Sequence, residues 1–285
     1  MLKSVSILAM GVVMAASSSI AISAPVLSSS ANAASAQVSV ADTVKANAVF
    51  APVAGTAAPD YADAASLTKI DLSAHIAGDL LLATSAGVHA GIVNTSAVSD
   101  YPNSATASAD LANVRAGIYT SVLGGIPLAA LGISADAITS TTEAGINGAG
   151  LFATGSSSIA NLMFSGSILG SLGLDAAAFA HALPNTSLSI LGLTIRFNEQ
   201  LRNETEGSIF MATNAVHISL DDYLFEGNLL SGDIILGHSQ AAVTGYVPSA
   251  AVPEPSTWAL MMTGFGLIGF GLRRQSRARV RAEFA

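Results

Sequence analysis

Apolar and polar residues alternate in short runs through most of the chain. Val38, Val40 and Val44 alternate with Ser39 and Thr43, and Ile70, Leu72, Ala74 and Ile76 with Asp71, Ser73 and His75. In 111–120, Ala112, Val114, Ala116 and Ile118 fall on one face, and Asn113 and Arg115 on the other. Val216, Ile218 and Leu220 alternate with His217 and Ser219, and Ala241 and Val243 extend the pattern. Successive side chains of a strand point to opposite faces, so this period predicts half-buried strands. Near 187–197 the phase changes. Leu188 and Ile190 share one parity, and Leu191, Leu193, Ile195 and Phe197 the other. Gly192 beside the change predicts a bulge. Short helices are expected at 174–182 and 127–138. The pattern as a whole predicts an all-β domain over 37–246, a sandwich or a β-roll, with Ala, Ser and Gly giving thin layers. A parallel β-helix is the competing architecture, and the absence of a fixed-period repeat counts against it.

Composition narrows the function classes. The chain has 285 residues, of which 51% are hydrophobic, 6% aromatic and 11% charged. Globular chains carry about 25% charged residues. With no cysteine, a disulfide scaffold, a cysteine zinc site and a cysteine nucleophile are excluded. An isoelectric point near 4.9 argues against nucleic acid as a partner, since phosphate binding needs a basic surface. A mean hydropathy of +0.56 excludes high-charge disorder.

The charge is unevenly spread. Between Gln37 and Val252 there are five basic residues and seventeen acidic ones. Lys3 stands alone before that span, and Arg273, Arg274, Arg277, Arg279 and Arg281 crowd the end after it. Residues 1–36 read as a signal peptide: Lys3, then an uncharged apolar run from Val5 to Ala16, then small residues. Ala31-Asn32-Ala33 and Ala34-Ser35-Ala36 both fit signal peptidase, placing cleavage after Ala33 or Ala36. Cleavage after Ala24 is disfavoured because Pro25 would stand at the scissile bond. The Pro- and Ala-rich stretch 247–252 is a linker to the tail.

The tail reads VPEPSTWALMMTGFGLIGFGLRR over 252–274. From Ser256 to Leu272 no residue is charged. As a helix this run reaches about 25 Å, against a bilayer core of ~30 Å, so a transmembrane helix is expected over 256–272. Trp258 is placed as the anchor at the membrane–water boundary, and Arg273 and Arg274 as the cytoplasmic basic stop. Pro253 and Pro255 cannot continue a helix and hold Glu254 in extended chain outside the membrane. These elements, in this order over 253–281, closely resemble the PEP-CTERM sorting signal of Gram-negative bacteria. The resemblance implies processing by an exosortase, with Pro253, Glu254 and Pro255 as recognition residues. It also implies passage through the inner membrane before arrival at the cell envelope, outer surface or matrix.

A second likeness lies in the body. Pro184-Asn185-Thr186, Phe197-Asn198-Glu199-Gln200, Thr213 to Ile218 and Gly232-Asp233-Ile234-Ile235 follow one another in the order of the choice-of-anchor P group. The resemblance spans 150–245. It implies an exported, anchored domain and carries no activity.

Candidate chemistry is sparse. The metalloprotease, nucleophile-elbow, P-loop and EF-hand signatures do not occur. His75 and His217 fall on the polar parity of their strands and are expected in solvent. Seven carboxylates lie between 199 and 233; Asp221, Asp222 and Glu226 among them are weak calcium candidates, against the simpler reading of a solvated acidic stretch. Asn185, Glu199 and Asn214 are expected to pair with turns and backbone. The single Trp lies in the tail, so aromatic platforms for sugar hydrolysis are poorly supplied. No catalytic residue, cofactor or metal is assigned. The reading is an exported, non-enzymatic envelope or matrix protein. Its partners would be signal peptidase, exosortase, the inner membrane and exopolysaccharide. A surface adhesin or carbohydrate- or calcium-binding module is the alternative, and an extracellular hydrolase a second one.

Overall fold

The computed structural model describes residues 24–40, 43–79, 82–122, 128–169, 173–225, 227–248 and 260–270. The chain divides between Tyr246 and Val247 into two compact units. The first opens with β1 (Val26–Val40), β2 (Thr43–Phe50), β3 (Val53–Ala57), β4 (Ala62–Leu67), β5 (Ile70–Asp79), β6 (Leu82–Ala90) and β7 (Val93–Asp100). It continues with β8 (Ser104–Val122), β9 (Leu128–Asn147), β10 (Gly150–Ala160), β11 (Met163–Ser165), α1 (Gly166–Leu169) and α2 (Ala176–Ala180). It ends with β12 (Thr186–Ile190), β13 (Leu193–Thr205), β14 (Ser208–Phe225) and β15 (Asn228–Thr244). In the second unit, 260–270 form a helix.

The strands make two sheets. One runs β12-β13-β14-β15-β1-β2, with β3 also paired to β1. The other runs β10-β9-β8-β6-β5, with β11 on β9, β7 on β8 and β4 on β7. Strands β1, β14 and β15 face β7, β8, β9 and β10 across the core. Every ladder among the described residues is antiparallel. That excludes the parallel β-helix, whose ladders must be parallel, and gives the all-β, two-sheet arrangement expected from the alternation.

The core follows the alternation. Val38, Ile70, Val114, Ala116, Ile118, Val216, Ile218, Leu220, Ala241 and Val243 are buried. Alanine fills many of the remaining inward positions, among them Ala97, Ala105, Ala107 and Ala109. At the centre the sheets are joined by hydroxyls. Thr142 Oγ1 lies 2.8 Å from Thr213 Oγ1 and 2.8 Å from Ser239 Oγ. Burying these groups costs little because each finds a partner.

Three local expectations change. The segment expected as a helix at 127–138 runs in β9 from Leu128 onward, paired to β8 on one side and, at Gly132–Ser134, to β11 on the other. Ile133 and Ile138 suit a pleated surface, and pairing on both edges overrides local helix propensity. Gly192 is not a bulge. Leu191 (φ 40°) and Gly192 (φ 86°) are the two central residues of the β12–β13 hairpin. Positive φ at both positions matches the twist of the flanking strands, so the phase change marks a chain reversal. In β8, Asn113 (φ 52°) lets both Leu111 and Val114 face the core, and Ala112 leaves the face it was assigned. The helix expected at 174–182 is present as the shorter α2, capped by the Asp175 carboxylate accepting from the Ala177 N–H at 3.0 Å.

Gly232 of β15 stands opposite Val38 of β1 with φ +135°, and a Cβ there would strike the Gln37 carbonyl. Gly232→Ala is expected to destabilise the domain by about 2 kcal/mol, read as a lower urea midpoint at unchanged m-value.

Candidate functional site

A line of altered pleat crosses the first sheet. In the ladders β13–β14, β14–β15 and β15–β1, pairing passes from Phe197↔Val216 to Glu199↔Asn214, from Asn214↔His238 to Val216↔Leu236, and from Asn32↔His238 to Ala34↔Leu236. The residues stepped over are Asn198, Ala215, Gly237 and Ala33, one on each strand. Asn198 (φ 50°) and Gly237 (φ 65°) are left-handed. A Cβ on Gly237 would press on Ala215 and on Ile138 of the opposite sheet. Glycine gives φ > 0 without that side chain. On β14, Thr213, Ala215, Val216 and Ile218 are all buried, so the inward parity switches between Ala215 and Val216. The same switch puts Asn214 and His217 together on the outer face, where strict alternation would separate them.

A polar cluster forms there. His217 donates from Nδ1 to Glu199 Oε2 at 2.7 Å and from Nε2 to Asp233 Oδ1 at 2.9 Å. Asn214 donates from Nδ2 to the same Glu199 oxygen at 2.7 Å and accepts from His238 Nδ1 at 2.6 Å. Arg196 reaches the other Glu199 oxygen at 3.5 Å. The Glu199 side chain is 7% exposed, that of His217 15%, and that of Asp233 51%. Burial by itself would lower the His217 pKa. The hydrogen bonds and charges of Asp233 and Glu199 outweigh it and hold the imidazolium to about 9. The hydrogen bond from His217 lowers the pKa of Glu199 and of Asp233. Burial lowers that of His238, which is therefore a neutral donor to Asn214.

The outer end of this cluster opens on a shallow groove of about 340 Å³. His217 and Asp233 form one wall, and Ser35, Gln37 and Asn47 contribute polar groups to the rest. A larger hollow of about 470 Å³ lies on the other sheet, with Arg115 and Asp136 its only charged lining residues. The groove matters more chemically because the titratable cluster meets solvent there. Both ring nitrogens of His217 are taken by carboxylates, so neither is free to act as a general base.

The residues singled out from sequence fall as follows. His217, expected in solvent, lies in an ion-paired cluster. Asn185 (φ 62°) pairs with backbone as expected, accepting from the Gln200 N–H at 2.9 Å. Asp221 and Asp222 are exposed, and Asp222 accepts from Ser231 Oγ at 3.0 Å. Glu226 lies outside the described residues, as does the His75 side chain. No group of three or more metal-ligating side chains is gathered among the described residues. Ala33 and Ala36, assigned as cleavage positions, lie inside β1 and are buried. Cleavage after either would cut β1, which is paired along both edges. Pro253, Glu254, Pro255, Trp258, Arg273 and Arg274 lie outside the described residues. Within the expected membrane span, the helix 260–270 is exposed at Leu260, Met262, Phe265, Leu267, Ile268 and Phe270. No helix among the described residues is long and apolar enough to cross a membrane; 260–270 is about 16 Å long.

Glu199, His217 and Asp233 were not linked by sequence reasoning. The only signal was Asn198 and Gly237, two residue types that tolerate positive φ, near the polar positions of adjacent strands.

Residues 251–275 match the PEP-CTERM protein-sorting motif. No curated protein and no solved structure matches the chain, so the choice-of-anchor resemblance of 150–245 gains no relative in its support. The motif identifies an exported protein sorted by an exosortase through the membrane.

His217 has a folded pKa above the unfolded value near 6.5, so its contribution is complete below pH 6.5 and is lost as pH rises through about 9. Glu199 and Asp233 have depressed values, so theirs is present above their ordinary values of 4.5 and 3.8 and fades as pH falls below them. Stability from the cluster is therefore expected to peak between about pH 5 and pH 6.5. The melting temperature should fall from pH 6 to pH 9.5. His217→Gln should be less stable by about 3 kcal/mol at pH 6, with a lower melting temperature that stays nearly flat over that interval.

Proposed function

We propose that this protein is a non-enzymatic component of the cell envelope or extracellular matrix. It is exported, processed by signal peptidase, held in the inner membrane through its tail, and handed to an exosortase that reads Pro253-Glu254-Pro255. The body then resides at the outer surface or in the matrix, beside exopolysaccharide in a biofilm. The observation that carries this reading is the sorting motif at 251–275.

The body supports it in three ways. The histidine at the groove, His217, has both ring nitrogens bonded to carboxylates. The span from Gln37 to Val252 is acidic, and like charge keeps such a body from being trapped non-specifically by an anionic polymer. The domain draws its order from many long ladders, which suits a durable outer-surface module. A second reading, a carbohydrate-binding module, has the groove of Ser35, Gln37, Asn47, His217 and Asp233 in its favour. Glycan-array binding that Asn47→Ala abolishes would select it.

Glu254→Ala tests the main reading. The variant is expected to keep its tail and accumulate in the inner-membrane fraction, while the parent loses the tail and moves outward. Equal tail mass and equal location for the two would refute the sorting assignment.

A further inference from the structure

We infer that signal peptidase cuts this chain before β1, at one of the two bonds that follow Ala21 and Ser23, and that the mature protein begins at Ile22 or Ala24. This cleavage rests on the signal-peptidase step of the proposed function and is independent of how the tail is sorted.

Strand β1 lies inside its sheet, paired to β15 along one side and to β2 and β3 along the other. Residues Val26 to Asn32 pair with His238 to Thr244 of β15. Residues Leu27 to Ala31 pair with all of β3, and β1 is the strand that ties β3 to the sheet. Ser29 Oγ lies 2.7 Å from the Tyr61 hydroxyl and 3.0 Å from the Thr106 carbonyl oxygen of the opposite sheet. Leu27 and Ala33 are fully buried. Removing residues up to Ala33 would strip β3 of its ladder. It would also leave the end of β15 unpaired on that side and open the core at Leu27. Each interior backbone group so exposed or orphaned costs free energy. A chain trimmed at Ala33 or Ala36 therefore cannot make this fold.

The leader's own chemistry agrees. Signal peptidase selects small side chains one and three residues before the bond. Ser19-Ile20-Ala21 and Ala21-Ile22-Ser23 both meet that need. The bond after Ala24 has Ile22 three residues before it and Pro25 directly after it. A leader of 21 or 23 residues falls within the usual span of about 15–30 residues, whereas 33 or 36 exceeds it. Cleavage after Ser23 leaves Pro25 second in the mature chain, one residue ahead of β1. Ala21 is a selected position for either bond, so one substitution there reaches both.

The test is intact-mass and amino-terminal sequencing of the full-length protein recovered from the envelope of a Gram-negative host. A mature terminus at Ile22 or Ala24 is expected. A terminus at Ala34, at Gln37, at Met1 or anywhere else overturns the inference. Ala21→Tyr supplies the second measurement. It is expected to leave most of the protein as uncut precursor, while the melting temperature of the cytoplasmically expressed body beginning at Ala24 matches that of the processed parent. Normal processing of Ala21→Tyr also overturns the inference.

Discussion

The ladder between β1 and β15 is the constraint on which the rest of the domain rests. It pairs Val26 with Thr244 and sets the first strand between the last strand and two early ones. The stabilisation is large only because the strand is long and is bonded along both edges. The cost is the closure of a loop of some two hundred residues, which grows only logarithmically with length. Until β15 is made, one edge of β1 stays open, and an open edge invites pairing with other chains. Its run of Ala, Ser and Asn with few large apolar residues weakens that attraction.

The same strand completes the line of altered pleat. A parity switch on a single strand would break the register with its neighbours. Here β13, β14, β15 and β1 switch in one row, so the ladders resume in register. The shared switch lets residues from both sides of the line share the outer face. Glu199 and Asn214 come from one side, and Arg196 and His217 from the other. A buried carboxylate is tolerable there because His217, Asn214 and Arg196 all address it. The cluster is the means by which this face satisfies its own polar groups.

Much of the fold could be read from the chain. Alternation at 216–220 and 241–243 requires strands with one buried face, and those side chains are buried. The Asp175 cap and the alanines after it define α2. Where the reading failed, a second segment was the cause. At 128–138 a helix was plausible until β8 and β11 were available to pair on its two edges. At 187–197 one switch of parity has two explanations, a bulge or a reversal, and only the Ile190↔Leu193 pairing decides between them. Ala31 to Ala36 in β1 carry two readings, because small residues suit both a peptidase pocket and a thin, tightly packed sheet.

What the sequence by itself determined is the chemistry that acts locally. The period-two pattern, the lack of thiols and the acidic body are properties of consecutive residues. So is the proline-bracketed glutamate ahead of an apolar, arginine-ended tail. The tertiary structure alone decided which distant residues meet. Glu199, His217 and Asp233 lie on three different strands, and nothing in their spacing relates them. They meet because the ladders fix the relative positions of those strands, and because the shared pleat change turns two of them outward on one face. Local order depends on neighbours in sequence, whereas a pair of charges across a sheet depends on register, which is set by all the strands together.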